Sequence, residues 1–279
     1  MPKVLKSGFY TTLQDQGRFE FRHKGVPVAG TMDDLARHRI NTLLENAANA
    51  ALLEITMTGP TLLFEEETNI CLGGAKLSAT LNNEPIENYH VYHVNPGDIL
   101  SYGRLEKGFR GYLGIKKGFI SDLVLGSVSQ YAPLTQQRCL SDGQQIGYET
   151  TALFEPKLSD LKVRSYLDNS ELKVALGPEF ELLSEGQQKQ LFAGSFSVSK
   201  ENNRMAYQLE EKMGEHSISM LTSATLPGTV QITPSGKIIV LMKDGQTTGG
   251  YPRILQLTQE AISILAQKKA GDRVRFATV

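Results

Sequence analysis

Apolar residues in this chain come in short runs that stop at Gly, Pro, Asn or Asp, and a sequence interrupted so often cannot support many long helices. Short apolar runs bounded by turn formers are strands. Residues 70–72, 89–94, 99–102, 112–115, 173–176, 230–232, 238–242 and 273–276 all read this way. Between them stand Asn82-Asn83, Asn95-Pro96-Gly97-Asp98, Gly177-Pro178, Pro227-Gly228, Pro234-Ser235-Gly236 and Asp244-Gly245, residues suited to tight reversals. The expected class is mainly β, because sheets joined by such turns close into barrels or sandwiches.

A few short helices interrupt the strands. Asp33 is placed to cap a helix running to Asn46, with Leu35, Ala36, Ile40, Leu43 and Leu44 on one face. Thr258 caps a second, whose Ala261, Ile262, Leu265 and Ala266 face inward and which Gly271 closes. A third, weaker segment covers residues 180–191. The most polar stretch without strand rhythm is 155–170, which places a boundary between an N-terminal domain, 1–158, and a C-terminal domain, 159–279.

The 279 residues carry 29 Lys and Arg against 30 Asp and Glu, a net charge of −1. No single-sign field exists to steer the chain to nucleic acid or anionic lipid. The opening Met1-Pro2-Lys3-Val4-Leu5 lacks the apolar core of a secretory signal, and no apolar run has the length of a membrane span. The cytoplasm is the expected compartment. Cys71 and Cys139 have no CxxC spacing and read as two reduced thiols. His90 and His93, three apart in one expected strand, point to opposite faces and make no zinc pair; no metal ligands are assigned.

No GxxxxGK[ST], no GxGxxG after a strand and no GxSxG elbow occurs. The pair in Leu72-Gly73-Gly74-Ala75 reads as a bulge or close backbone approach more readily than as a phosphate loop. The denser motif is Asp244-Gly245-Gln246-Thr247-Thr248-Gly249-Gly250-Tyr251-Pro252. It offers a carboxylate, an amide, two hydroxyls and glycines whose N–H groups can turn inward on an anion. Gln14-Asp15-Gln16-Gly17-Arg18, then Gly30-Thr31-Met32-Asp33, put an amide, acids and a guanidinium on loops before a helix N-terminus. Asn203-Arg204-Met205 and Gln231-Ile232-Thr233 add another guanidinium and further amides.

Thr12-Leu13-Gln14-Asp15-Gln16-Gly17-Arg18, Gly25-Val26-Pro27, Gly30-Thr31-Met32-Asp33 and Asn41 to Leu53-Glu54 together resemble the opening of the carboxyltransferase-domain family typified by allophanate hydrolase subunit 2. Asn202-Asn203-Arg204-Met205, Pro227-Gly228-Thr229-Val230-Gln231 and the loop from Asp244 to Pro252 match its far end in order. The chain departs from the family at Glu45 and Ala206, where glycine is usual, and at Gln208, where arginine is common.

The resemblance implies two cyclophilin-like β-barrel lobes. Among members of this length it also implies one component of a bacterial 5-oxoprolinase, which opens 5-oxoproline to glutamate at the expense of ATP. The expected partners are a B-like sister chain and an A-like hydrolase chain, with ATP and Mg²⁺ used at the level of the heteromeric complex. On this reading Asp15, Asp33 and Asp244 are the catalytic candidates, for general-base work or for holding Mg²⁺ with ATP. Arg18 and Arg204 would clamp a carboxylate, and Gln14, Asn203, Gln231 and Gln246, with Thr247, Thr248, Gly249, Gly250 and Tyr251, would hold the rest of the substrate. Two alternatives stay open: a biotin-dependent carboxyltransferase acting on urea or another amide, and a non-enzymatic regulator that binds a B-like chain.

Overall fold

Strand alternation sets the first half of the molecule, seen in a computed structural model that describes residues 2–151 and 154–279. In Leu52–Thr56, Leu53 and Ile55 join one apolar core while Leu52 joins another, as a period of two requires. The strand belongs to a five-stranded antiparallel sheet ordered Tyr10–Gln14, Leu52–Thr56, Lys107–Ile115, Thr68–Lys76, Val91–Val94. A second five-stranded sheet runs Lys3–Lys6, Thr61–Leu63, Ile99–Tyr102, Ala79–Leu81, Glu84–Pro85. Side chains of both, including Val4, Leu62, Leu100, Leu53, Ile70 and Leu113, form one core.

Helix α1, Asp34–Leu43, covers the other face of the first sheet with Ala36, Ile40 and Leu43. It can lie close because Gly73 and Gly114 stand beneath it: a Cβ on Gly114 would collide with Ile40 Cγ2, and one on Gly73 would meet Ile40 Cδ1 at 3.0 Å. Gly73 is thus a close-approach residue inside the buried strand Thr68–Lys76, as its strand setting suggested. Asp33 caps α1 as expected, accepting from Ala36 N, but the helix ends at Leu43 rather than Asn46. Glu45 follows in the left-handed region at φ 48°, a conformation that glycine adopts without strain. Tyr89, expected to begin a strand, also has positive φ (62°), and the strand starts at Val91.

In the second half, seven strands close into a barrel ordered Glu171–Leu176, Arg253–Leu257, Thr229–Ile232, Lys237–Leu241, Ala206–Lys212, Phe196–Asn202, Arg273–Thr278. Parallel pairing of Glu171–Leu176 with Arg273–Thr278 completes the ring. Helix α2, Glu185–Ala193, starts at a capping box made by Ser184 and Gln187, preceded by a 3-10 turn, Phe180–Leu182. The expected single segment at 180–191 is therefore two. Helix α3, Gln259–Ala266, is capped by Thr258 as expected, yet Gln267 ends it; Gly271, at φ 87°, serves the turn into the next strand.

Contacts divide the chain into residues 1–18 with 29–167, and residues 19–28 with 168–279. Only the second of these units is a closed barrel among the described residues; the first is two open sheets, where a barrel lobe was expected. One sheet ends on the two-residue strand Glu84–Pro85, whose proline cannot donate to a further neighbour.

Candidate functional site

The first unit holds two polar clusters. At the end of the strand Tyr10–Gln14, the Gln14 amide donates to Gln130 O at 3.1 Å. The next residue, Asp15, accepts from Ser127 Oγ and Ser129 Oγ, both at 2.6 Å, from Gly17 N at 2.8 Å and from Val128 N at 2.9 Å. Arg18, 1% exposed, donates through Nε to Val124 O at 3.0 Å and through Nη2 to Ser129 O at 2.6 Å. Three residues expected to meet substrate thus converge, and what they hold is the backbone of residues 124–130. Such charge-assisted bonds are among the stronger ones in a fold.

Asp33 belongs to the second cluster. One carboxylate oxygen caps α1 and the other accepts from the Tyr166 hydroxyl, while the Asp33 N–H donates to Tyr112 Oη at 2.9 Å. The Tyr112 hydroxyl in turn donates to Glu54 Oε2 at 2.8 Å, and the same oxygen accepts from Met32 N at 2.7 Å. Arg110 approaches Glu54 at 3.7 Å, and Arg39 lies 5.0 Å from the Tyr166 ring centre. Burial first, then the neighbouring carboxylates, push the Tyr112 and Tyr166 phenols far above their ordinary range, so both stay protonated donors. Neither tyrosine was singled out from the sequence. The signal was Glu54, a carboxylate amid Leu52, Leu53 and Ile55, which cannot be buried without donors.

In the second unit, Arg204 and Asp244 form a bidentate pair, Nε to Oδ2 at 2.9 Å and Nη2 to Oδ1 at 3.0 Å. Asn203 Oδ1 accepts from Met205 N at 2.7 Å and Ala206 N at 3.1 Å, shaping the turn between two barrel strands. These residues were expected at a substrate; the structure joins them to one another and to local backbone.

The remaining expected residues meet around Gly249. Gln231, 1% exposed, donates from Nε2 to Tyr251 O at 3.2 Å. A Cβ on Gly249 would stand 2.8 Å from Gln231 Nε2, 3.1 Å from Gln246 Nε2 and 3.6 Å from Thr225 Cγ2. Two carboxamides therefore pack against Gly249 and fill the space that a side chain there would need. Thr225 ties the loop down, donating from Oγ1 to Gln246 O at 2.5 Å and from N to Thr247 O at 3.0 Å. Thr248 and Gly249 pair with Ala224 and Ser223. The loop's far end, Gly250, Tyr251 and Pro252, borders an open groove of about 310 Å³ shared with His216, Met220 and Pro234.

Among the described residues no three His, Cys, Asp or Glu side chains gather as a metal-binding set. Asp15, Asp33 and Asp244 lie in three separate clusters, each already accepting hydrogen bonds. Among the described residues, no helix is long and apolar enough to cross a membrane.

The carboxyltransferase domain, subdomains A and B, matches residues 24–278, and the chain belongs to that family. Within it the chain sits with the C subunits of 5-oxoprolinases. It is 32% identical to the 5-oxoprolinase C subunit of Haemophilus influenzae, over 100% of this chain and 91% of that protein. Urea amidolyase of Lachancea kluyveri is a more partial relative, 39% identical over 47% of this chain and 7% of its own length. The solved urea amidolyase of K. lactis superposes with a TM-score of 0.90 at 27% identity, over 100% of this chain. The chain spans 18% of that structure and 55% of another, TTHA0988.

Proposed function

We propose that this chain is the C subunit of an ATP-dependent 5-oxoprolinase and works only with A-like and B-like partners. The observation that carries the reading is end-to-end similarity to a 5-oxoprolinase C subunit. The geometry around Gly249 is suited to it. 5-Oxoproline presents a lactam with one acceptor and one donor, and a pair of carboxamides offers the complementary groups. We assign substrate contact to Gln231, Gln246 and the loop through Thr247, Thr248, Gly249, Gly250 and Tyr251. Gln14, Asp15 and Arg18, like Asn203, Arg204 and Asp244, act as positioning residues, as does Asp33 through Tyr112 and Tyr166.

Because Asp15, Asp33 and Asp244 each already accept hydrogen bonds from protein donors, they are poorly suited to hold Mg²⁺, and we place ATP and Mg²⁺ on the partner chains. The family kinship supports two cyclophilin-like lobes, and the division of contacts near residue 167 supports domains close to 1–158 and 159–279.

Mixing the purified chain with its A-like and B-like partners and measuring glutamate from 5-oxoproline and ATP tests the proposal. The complete mixture should turn over and the chain alone should not. A complete mixture without turnover, or full activity from the chain alone, refutes it. The urea amidolyase similarity favours one second reading, a carboxyltransferase of a biotin-dependent urea carboxylase. Carboxylation of urea with a biotin-carrier partner, in place of 5-oxoproline turnover, would establish it.

A further inference from the structure

We infer that Arg22 is the residue that receives the carboxylate of the small amide bound at Gln231 and Gln246, an inference that rests on the 5-oxoprolinase reading. Two guanidiniums reach the carbonyls of one short segment of the second unit: Arg253 Nη1 donates to Ala224 O at 2.8 Å, and Arg22 Nη2 donates to Thr225 O. They differ in charge balance. Arg253 forms a fork with Glu179, Nη2 to Oε1 at 2.7 Å and Nε to Oε2 at 2.9 Å. Arg22 has no carboxylate within ion-pair distance among the described residues, and its Nη1 is buried without any hydrogen-bond partner.

A buried donor on a cation with no counter-ion is costly to keep. Desolvation, the sole cause acting on it, pulls the Arg22 proton affinity below the ordinary value. An arriving carboxylate would satisfy both the charge and the orphan N–H, and a guanidinium suits it through its planar fork.

The position is apt as well. Thr225, whose carbonyl Arg22 holds, is the residue that bonds Gln246 O and Thr247 O and whose methyl lies 3.6 Å from the point a Gly249 Cβ would occupy. Beside it, Gln231 Oε1 and the Gln246 carboxamide have no partner among the described residues, while Gln231 Nε2 is held by Tyr251 O. The ensemble is a cation without a counter-ion joined through Thr225 to the segment that carries two carboxamides, which selects a small molecule bearing a carboxylate close to an amide. Access is available because Arg22, at the start of the one-turn 3-10 helix Arg22–Lys24, is only partly buried.

The test compares two ligands that share a ring and differ in the carboxylate, 5-oxoproline and 2-pyrrolidinone. Each is titrated calorimetrically into the full chain, alone and with its B-like partner, as wild type, Arg22→Gln and Arg22→Lys, with thermal unfolding followed in parallel. Wild type should prefer the acid by about tenfold or more, the range of a charge-assisted fork. Arg22→Gln should bring that ratio near one while the affinity for 2-pyrrolidinone is kept, and Arg22→Lys should restore it in part.

A ratio unchanged in folded Arg22→Gln, or a wild type that binds neither ligand or both equally, overturns the inference. Should Arg22→Gln unfold, the ratio for Arg22→Lys decides in its place: a ratio equal to wild type overturns the inference. The two proposals fail separately. Turnover by the reconstituted complex with an unaltered Arg22→Gln ratio removes only Arg22, whereas Arg22-dependent binding in a complex without turnover removes only the enzymatic reading.

Discussion

Replacing Arg18 by alanine separates a residue that touches substrate from one that holds a loop. The side chain is 1% exposed, and its bonds to Val124 O and Ser129 O, at 3.0 and 2.6 Å, fix the segment that also supplies Ser127, Val128 and Ser129 to Asp15. Truncation strips the donors from two carbonyls and leaves the space of a large side chain. Lost hydrogen bonds at about 1–3 kcal/mol each, together with a cavity contribution, predict a destabilisation of about 3–6 kcal/mol. For a unit of this size each kcal/mol lowers the midpoint by about 2–4 °C, so a fall on the order of 10 °C is expected in thermal unfolding. Arg18→Lys should recover less than half, since an ammonium cannot span both carbonyls as the fork does. Binding of 5-oxoproline, measured well below the new midpoint, should change less than about threefold if Arg18 acts only through the loop. An unaltered melting midpoint combined with a tenfold or greater loss of binding would refute this account and return Arg18 to the substrate.

Gly249→Ala should leave the melting midpoint within a few degrees, because the new methyl meets carboxamide ends rather than backbone, yet should raise the KM for 5-oxoproline about tenfold or more in the reconstituted complex; an unchanged KM counts against the site. Tyr166 stays protonated in the fold while an unfolded phenol ionises near 10. The native state therefore holds the extra proton, and stability conferred below pH 10 declines as pH rises above it. Urea unfolding between pH 8 and 11 should show that decline, less steeply in Tyr166→Phe, and equal slopes would contradict it. Burial raises the Cys71 thiol to about 12, so a thiol reagent should modify the partly exposed Cys139 first and Cys71 only after denaturation; equal rates in the native chain would be inconsistent with the packing.

Local signals read well where a single residue and its near neighbours decide the outcome. Asp33 and Thr258 needed only a capping oxygen before an apolar stripe, and both cap helices. Ser184 and Gln187 carried the same kind of mark, three apart, and locate the start of α2 where a broad apolar pattern blurred it. The expectation of two barrels met one closed ring, because closure depends on which distant edges pair. Register likewise made the clusters opaque. Arg204 and Asp244 stand 40 positions apart and meet only because their strands are neighbours. Gln231 and Gln246 read as separate amides in the sequence, and their packing together against Gly249 follows from the barrel's pairing. Arg22 is illegible for a different reason: the basic run Arg22-His23-Lys24 looks like an ordinary solvated group, and only the three-dimensional setting exposes the missing counter-ion of Arg22.

Closure of the barrel has a consequence for how the chain is made. The strand Arg273–Thr278 lies between Glu171–Leu176, which it meets in parallel, and Phe196–Asn202, which it meets antiparallel. Synthesis delivers it after the other six, so until it arrives the nascent sheet has two bare edges, each with unpaired N–H and C=O groups open to another chain. Pairing partners such as Glu171 and Arg275 are about a hundred positions apart, a separation that slows the final step. Trimming this strand, or anchoring it through a rigid fusion, would leave those edges uncovered, and the resulting defect would emerge as aggregation during expression rather than as an altered substrate preference.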